Sequence, residues 1–265
     1  MLITLMTDFG LADTYVGQMK GVIQTIAPQA DVIDLTHSVP PQDILAGALM
    51  LDAAIDSFPP DTIHVGVVDP GVGSARAAIA IEAQNCIFIG PDNGLFSVAL
   101  SRRPMMRAVR LENWRYFRHP VSHTFHGRDI FAPVAAHLSR GVPLAEMGPV
   151  MSRIVTLDIA RPQRLEDDSL KLTVLRIDGF GNAITNFMHR DYEHYMAGQP
   201  DSQAIITLGP DRRINGIHHT YADVDPGEPV AYFGSSDRLE IAIRNASAAS
   251  VYGIKQGQTF IFRRK

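Results

Sequence analysis

The chain is poor in the residues that mark several common chemistries. It has one cysteine, Cys86, inside the apolar run CIFIG. A lone cysteine makes neither an internal disulfide nor a thiolate cluster, so a small buried core side chain is its expected role. Basic excess is absent too. The formal net charge is -4, without the Lys/Arg stripe of a nucleic-acid binder. No apolar run approaches the roughly 18 residues of a membrane-spanning helix. The first residues, MLITLMTDFG, lack a basic n-region and soon turn polar, which suits a first strand and not a signal peptide. The cytoplasm is the expected location. There is no internal repeat and no low-complexity segment. What is present is an ordinary composition: 265 residues, 46% apolar and 20% charged, enough for one large or two modest domains.

Hydrophobic spacing divides the chain. LITLM (2–6), DVIDLT (31–36) and TIHVGVV (62–68) read as short buried strands. Between them, 14–28 carries Val16, Met19, Val22, Ile23 and Ile26 at helical spacing, and 42–58 carries Ile44, Ala48, Leu51 and Ile55. Pro28 closes the first helix and Pro59-Pro60 the second. This alternation predicts an α/β layer with a mostly parallel sheet. Runs 77–83 and 86–91, joined by Gln84-Asn85, predict a hairpin; 93–100 and 129–141 predict helices. Beyond that the texture changes. LKLTVLRID, QAIITL, PVAYFGS, LEIAIR and QTFIFRR are short runs broken by turn residues, which predicts a small all-β second domain. The expected domains are 1–160 and 170–265, with the polar stretch 158–169 as linker.

The chemistry sits in loops that follow strands. TDFGLAD (7–13) contains the Asp-Phe-Gly of protein kinases, but a kinase needs a Gly-rich loop, a strand Lys and a His-Arg-Asp loop before it. Here it stands at residue 8, which excludes that fold. Two readings of Asp8 remain: a ligand contact at the mouth of a parallel sheet, or a cap for the helix that follows. Gly10 would permit close backbone approach. VVDPGVGSAR places Asp69 at the end of the third strand and Arg76 seven residues on. It is either an ordinary Asp-Pro-Gly turn or a carboxylate and guanidinium brought to one site; it is no P-loop, lacking Gly-Lys-Ser/Thr. HTFHGRDIFAP holds His123, His126, Arg128 and Asp129 before a helix. The His pair lacks a Cys or HExxH context, so no metal is expected. Asp129 reads as a helix N-cap, and Phe125 and Phe131 as packing residues. IDGFGNAITN (177–186) reads as a turn or as an aromatic and an amide that hold a purine.

TDFG, DLTHSVPPQD, VVDPGVGSAR, GPDNGL, TFHGRDIFAP, IDGFGN and RNAS follow one another in this order. Together they resemble the S-adenosyl-L-methionine (SAM) hydroxide adenosyltransferases, the hydrolytic relatives of fluorinase and chlorinase, over essentially the whole chain. The resemblance implies an N-terminal α/β domain and a C-terminal β-barrel-like domain. It also implies a homotrimer with the ligand between subunits, and hydrolysis of SAM to adenosine and L-methionine without cofactor or metal. The family's polar triad falls on Asp69, Arg76 and His126. The halogenating branch has tyrosine where the acid and the His stand, and a long insertion where this chain has only Gln84-Asn85.

By the same resemblance, Asp8 would hold the ribose hydroxyls. Asp13 and Asp178 would face the methionine ammonium, and Phe125 and Phe180 would flank the nucleoside. Asn182 and the backbone near Ala246 would read adenine, with Arg244 close by. Ser236 would meet the methionine carboxylate, although Asp237 follows it where halogenases carry Arg. Two alternatives stay open: a non-catalytic SAM or adenosine binder, and a halide-using enzyme. No nucleic-acid or membrane partner is expected.

Overall fold

The first three apolar runs become parallel neighbours. In the computed structural model, which describes residues 1–265, the chain divides into two units, Met1–Leu157 and Asp158–Lys265. The first contains β1 (Leu2–Thr7), α1 (Tyr15–Ile26), β2 (Asp31–Thr36), α2 (Ile44–Ile55), β3 (Thr62–Val67), β4 (Ala78–Ala83), β5 (Cys86–Pro91), α3 (Ser97–Arg102), β6 (Met105–Arg110), α4 (Ala132–Ser139) and β7 (Val150–Met151). Its sheet runs β2-β1-β3-β5-β4-β6-β7. β2, β1, β3 and β5 are parallel; β4, β6 and β7 run antiparallel at one side. The expected mostly parallel layer is present, as a mixed sheet, and the Gln84-Asn85 hairpin pairs Ala83 with Cys86.

Burial explains why these segments settle as they do. Ile3, Leu5, Ile63 and Val65 are fully enclosed in one core with Met19 and Ile23 of α1. Each such side chain contributes about 1.5–3 kcal/mol over an exposed one. α2 starts at an Asp43 cap whose carboxylate accepts from the Ala46 N–H at 2.8 Å.

Two predicted helices begin elsewhere. The one expected at 93–100 starts at Ser97, because Asn93 and Gly94 form a turn: Gly94 has φ +94° and Asn93 Oδ1 accepts from the Leu95 N–H. The one expected at 129–141 opens earlier, as a wide π-type turn over Gly127–Phe131 that runs into α4.

The second unit contains β8 (Gln163–Arg164), β9 (Leu170–Ile177), β10 (Ala183–Met188), α5 (His189–Met196), β11 (Ala204–Gly209), β12 (Arg212–Asn215), β13 (Pro229–Phe233), β14 (Arg238–Ile243), α6 (Ala248–Tyr252) and β15 (Thr259–Arg264). One antiparallel, nearly closed sheet orders them β12-β11-β15-β9-β10-β14-β13, with β8 beside β9. The polar stretch 158–169 is thus partly strand. The domain is barrel-like but not purely β. In α5, Tyr192, Tyr195 and Met196 are buried at helical spacing beneath an otherwise charged sequence.

Candidate active site

The carboxyl ends of parallel strands are where α/β sheets present their ligand sites. β1 ends into Asp8 and β3 into Asp69. After Asp69 the chain turns through Gly73 at φ +76°. A Cβ there would lie 2.4 Å from the His123 carbonyl oxygen, so only glycine lets the two loops touch. That contact brings the Asp69–Arg76 loop against the segment carrying His126.

Asp69, Arg76 and His126 meet. Arg76 grips Asp69 with two hydrogen bonds, Nε to Oδ1 at 2.9 Å and Nη2 to Oδ2. The pair is deeply buried, with side-chain exposures of 9% for Arg76 and 4% for Asp69. Arg76 Nη2 also donates to His126 Nδ1 at 2.8 Å. A guanidinium only donates, so Nδ1 must be the acceptor and the imidazole is neutral with its hydrogen on Nε2. Burial, then the Arg76 charge, push the His126 pKa below its ordinary value, against the pull of Asp69 and Asp129. Arg76 Nη1 is buried and has no partner. A buried, unsatisfied charged donor is costly unless something arrives to accept from it.

Asp129 is not a helix cap. It sits inside the π-type turn, fully enclosed, and its carboxylate accepts from Arg128 at 2.7 and 2.9 Å, from Arg118 at 3.2 Å and from the Ser122 N–H at 2.9 Å. Burial opposes its ionisation, but these donors hold its pKa below the ordinary carboxylate range. Its role is to tie down the loop that ends at His126. Arg76 also lies over the Phe131 ring at 5.4 Å.

Asp8 does not cap α1, whose N-cap is Thr14, without a side-chain bond to the helix backbone. Its Oδ2 accepts instead from the backbone N–H of Gln42 at 2.8 Å. Gly10 has φ +68° and open space where a Cβ would stand. Asp13 is exposed. Phe125 is buried in an edge-to-face cluster with Phe9 and Tyr15, beneath the Arg128 guanidinium. No group of three or more His, Cys, Asp or Glu side chains is placed to hold a metal.

In the second unit Asp178 organises its turn, accepting from the N–H groups of Phe180 and Asn182 and from Asn182 Nδ2. Phe180 projects outward, 82% exposed, while Asn182 is only 3% exposed. A Cβ on Gly181 would lie 2.0 Å from Ser247 Oγ, so this turn packs on the RNAS segment that carries Ala246. Arg244 Nη1 donates to the Val224 carbonyl at 2.7 Å. Ser236 Oγ is buried without a partner.

Two positioning residues had no role in the sequence motifs. His37 is buried between Thr7 Oγ1 at 2.9 Å and Asp34 Oδ1 at 3.0 Å, and its carbonyl accepts from the Gly10 N–H at 2.8 Å. It thereby fixes the loop that holds Asp8. Asn93 Nδ2 donates to the Val68 carbonyl at 2.8 Å, steadying the strand end before Asp69. Both lie in DLTHSVPPQD and GPDNGL, so the signal was present without a role attached.

Comparisons with known proteins point to one family. The family model for the SAM hydroxide adenosyltransferase N-terminal domain matches residues 3–148, and that for the C-terminal domain matches 172–261. A protein of Salinispora tropica named (R)-S-adenosyl-L-methionine hydrolase is 38% identical, covering 96% of this chain and 95% of that one. One of the same name from Thermus thermophilus is 37% identical over 95% of both. A fluorinase of Actinoplanes is more distant, at 27% identity over 97% of this chain and 96% of that one. A solved Thermotoga maritima protein described as uncharacterized superposes with TM-score 0.91 at 34% identity, covering 99% of this chain and all of that one. With both of its domains matched and its relatives similar end to end, the chain belongs to the SAM hydroxide adenosyltransferase family.

Proposed function

We propose that the protein hydrolyses S-adenosyl-L-methionine to adenosine and L-methionine, by in-line attack of water on ribose C5′. The relatives' names specify the (R) sulfonium epimer, and we extend that preference to this chain. The observation that carries the reading is the Asp69–Arg76–His126 constellation at the mouth of the parallel sheet.

The leaving group departs from a sulfonium as a neutral thioether and needs no proton. The catalytic problem is therefore the nucleophile, which must be held in line behind C5′ and lose a proton. Arg76 can take none. His126 Nδ1 is occupied by an Arg76 N–H and its Nε2 carries hydrogen. Asp69 is left as the base: Arg76 occupies one site on each carboxylate oxygen, out of about four lone-pair sites in all. The unpartnered Arg76 Nη1 is the natural donor to the water oxygen, favouring hydroxide. His126 completes the cradle as a neutral N–H donor.

The water oxygen bonds to C5′, the C5′–S pair passes to sulfur, and the proton leaves through Asp69. One displacement means inversion at C5′. Holding the water in line supplies a share of the roughly 7–11 kcal/mol available from positioning at best.

The other implied roles belong to the same proposal: Asp8 on the ribose diol, Asp13 and Asp178 at the ammonium, Asn182 and Ala246 at adenine. So do independence of metal and cofactor, a homotrimer and a cytoplasmic location; no helix is long and apolar enough to cross a membrane. The test is chromatography of purified protein incubated with each SAM epimer and a chelator. Equimolar adenosine and methionine, faster from the (R) epimer, is expected. Tight binding without release would mark a sensor, and halide-dependent turnover a halogenase; either contradicts the proposal.

A further inference from the structure

Behind Asn182, a chain of hydrogen bonds runs into the second unit through residues to which the proposed hydrolysis gives no role. Asn182 Nδ2 donates to Asp178 Oδ2 at 3.0 Å and to Tyr221 Oη at 3.1 Å. Tyr221 Oη is bonded to Tyr232 Oη, and Tyr232 Oη donates to Glu240 Oε2 at 2.6 Å. Glu240 is buried, and Gly234 packs so tightly on it that a Cβ there would lie 2.0 Å from Oε1. The carboxylate is thus a fixed end to the chain.

The donors and acceptors fix its direction. A carboxylate only accepts, so the Asn182 atom facing Asp178 must be the amide nitrogen. That nitrogen has two hydrogens, and Asp178 and Tyr221 take both. Tyr221, having accepted from Asn182, passes its own hydrogen to Tyr232, which passes its hydrogen to Glu240. The Asn182 amide is held in one orientation, and its remaining hydrogen-bonding atom is Oδ1, an acceptor. The neighbouring Ala246 has its N–H bonded to the Ile243 carbonyl, so it too offers a carbonyl.

We propose that Tyr221 is a positioning residue for purine selectivity, locking Asn182 so that this surface accepts a 6-aminopurine and rejects a 6-oxopurine. The proposal rests on the reading of Asn182 and Ala246 as the adenine contacts. An exocyclic amino group donates to both acceptors. A 6-oxo group would set a third acceptor against them, and a site built around unpaired polar groups discriminates strongly.

The test compares hydrolysis of SAM with that of its deaminated analogue, S-inosyl-L-methionine, and calorimetric binding of adenosine with that of inosine. The wild-type protein is expected to favour the amino form by about 100-fold or more in kcat/KM. Tyr221→Phe keeps the ring and removes only the hydroxyl. It is expected to lower that preference about tenfold, chiefly through KM. Tyr232→Phe, one link further back, should move the ratio in the same direction and less. An active wild-type enzyme that handles both bases alike, or a folded Tyr221→Phe with an unchanged ratio, overturns the proposal. Wild-type protein that releases no adenosine, yet binds adenosine well above inosine, overturns the hydrolase reading and leaves the selectivity in place.

Discussion

Two of the first unit's arginine–aspartate clusters differ sharply, and only one of the two is built like a reaction centre. At the sheet mouth, Arg76 and Asp69 are buried, joined in a fork and extended to His126, with one guanidinium nitrogen unpartnered. Between α2 and α3, Arg102 and Arg103 each bond both Asp52 and Asp56, and Asp56 is 61% exposed. A cavity of about 320 Å³ adjoins this second cluster, lined among others by His64, Cys86 and Arg103. Its titratable groups are quiet: burial, then Arg103, push His64 down to about 4, and burial pushes the Cys86 thiol up to about 11. Neither carries charge at neutral pH, and such a thiol is inert. The lesson is that residue type and cavity size do not separate a staple from a site. An unsatisfied buried donor, a bonded base and an open strand end do.

The comparison can be broken in several ways. The largest effect is expected from Asp69→Asn, which keeps the shape and removes the proposed base. The kcat should fall about 10³-fold, within the 10²–10⁴ typical of a positioned base, with adenosine affinity nearly unchanged by calorimetry. Full turnover would remove Asp69 from that role. Arg76→Lys retains a charge but not the fork or the His126 bond, and steady-state kinetics should show about a 10²-fold loss in kcat. Gly73→Ala tests the loop contact. The new Cβ would meet the His123 carbonyl at 2.4 Å in a left-handed conformation, so denaturant unfolding should show a loss of about 1–3 kcal/mol together with reduced kcat.

The pH profile is subtler. In the proposed mechanism His126 acts as the neutral ring, and its pKa lies below the ordinary 6.5. Turnover should be level through neutrality and fall as pH drops below 6.5, through that lowered value. Stability has the same sign. The unfolded chain takes up the proton near 6.5 and the folded chain only lower, so stability is lost over that interval as pH falls. An acid limb centred above 6.5 in the rate profile would contradict the bonded, neutral ring. The smallest effect belongs to the other cluster. Asp56→Asn should cost less than about 1 kcal/mol in thermal unfolding, as exposed ion pairs do, and leave turnover unchanged.

The sequence made the α/β order legible because β1, β3 and β5 are largely apolar runs and the helices keep a clear stripe; β2, expected to be buried, is instead the edge strand, with Asp31, Ile33 and Asp34 exposed. It hid β10, whose Thr185 and Asn186 are buried: Thr185 Oγ1 donates to the Leu239 carbonyl, and Asn186 to the Ala160 carbonyl. Polar side chains satisfied inside a barrel break the pattern that marks a strand. It hid α5 for the opposite reason, since tyrosines supply the buried face of a charged helix. Asp69, Arg76 and His126 could be picked out by loop position and family resemblance. That Arg76 would commit His126 Nδ1, and so leave the proton to Asp69, follows only from their distances. The network behind Asn182 was invisible for the same reason: Tyr221, Tyr232 and Glu240 stand in three separate segments and carry no motif.

The central claim is that Asp69, Arg76 and His126 deliver water to C5′. Turnover of SAM in ¹⁸O-labelled water, followed by mass spectrometry of both products, tests it most directly. The account predicts adenosine carrying one ¹⁸O at the 5′ position and unlabelled methionine, with both signals lost in Asp69→Asn. Adenosine released without label, or labelled adenosine formed equally fast by Asp69→Asn, would contradict it.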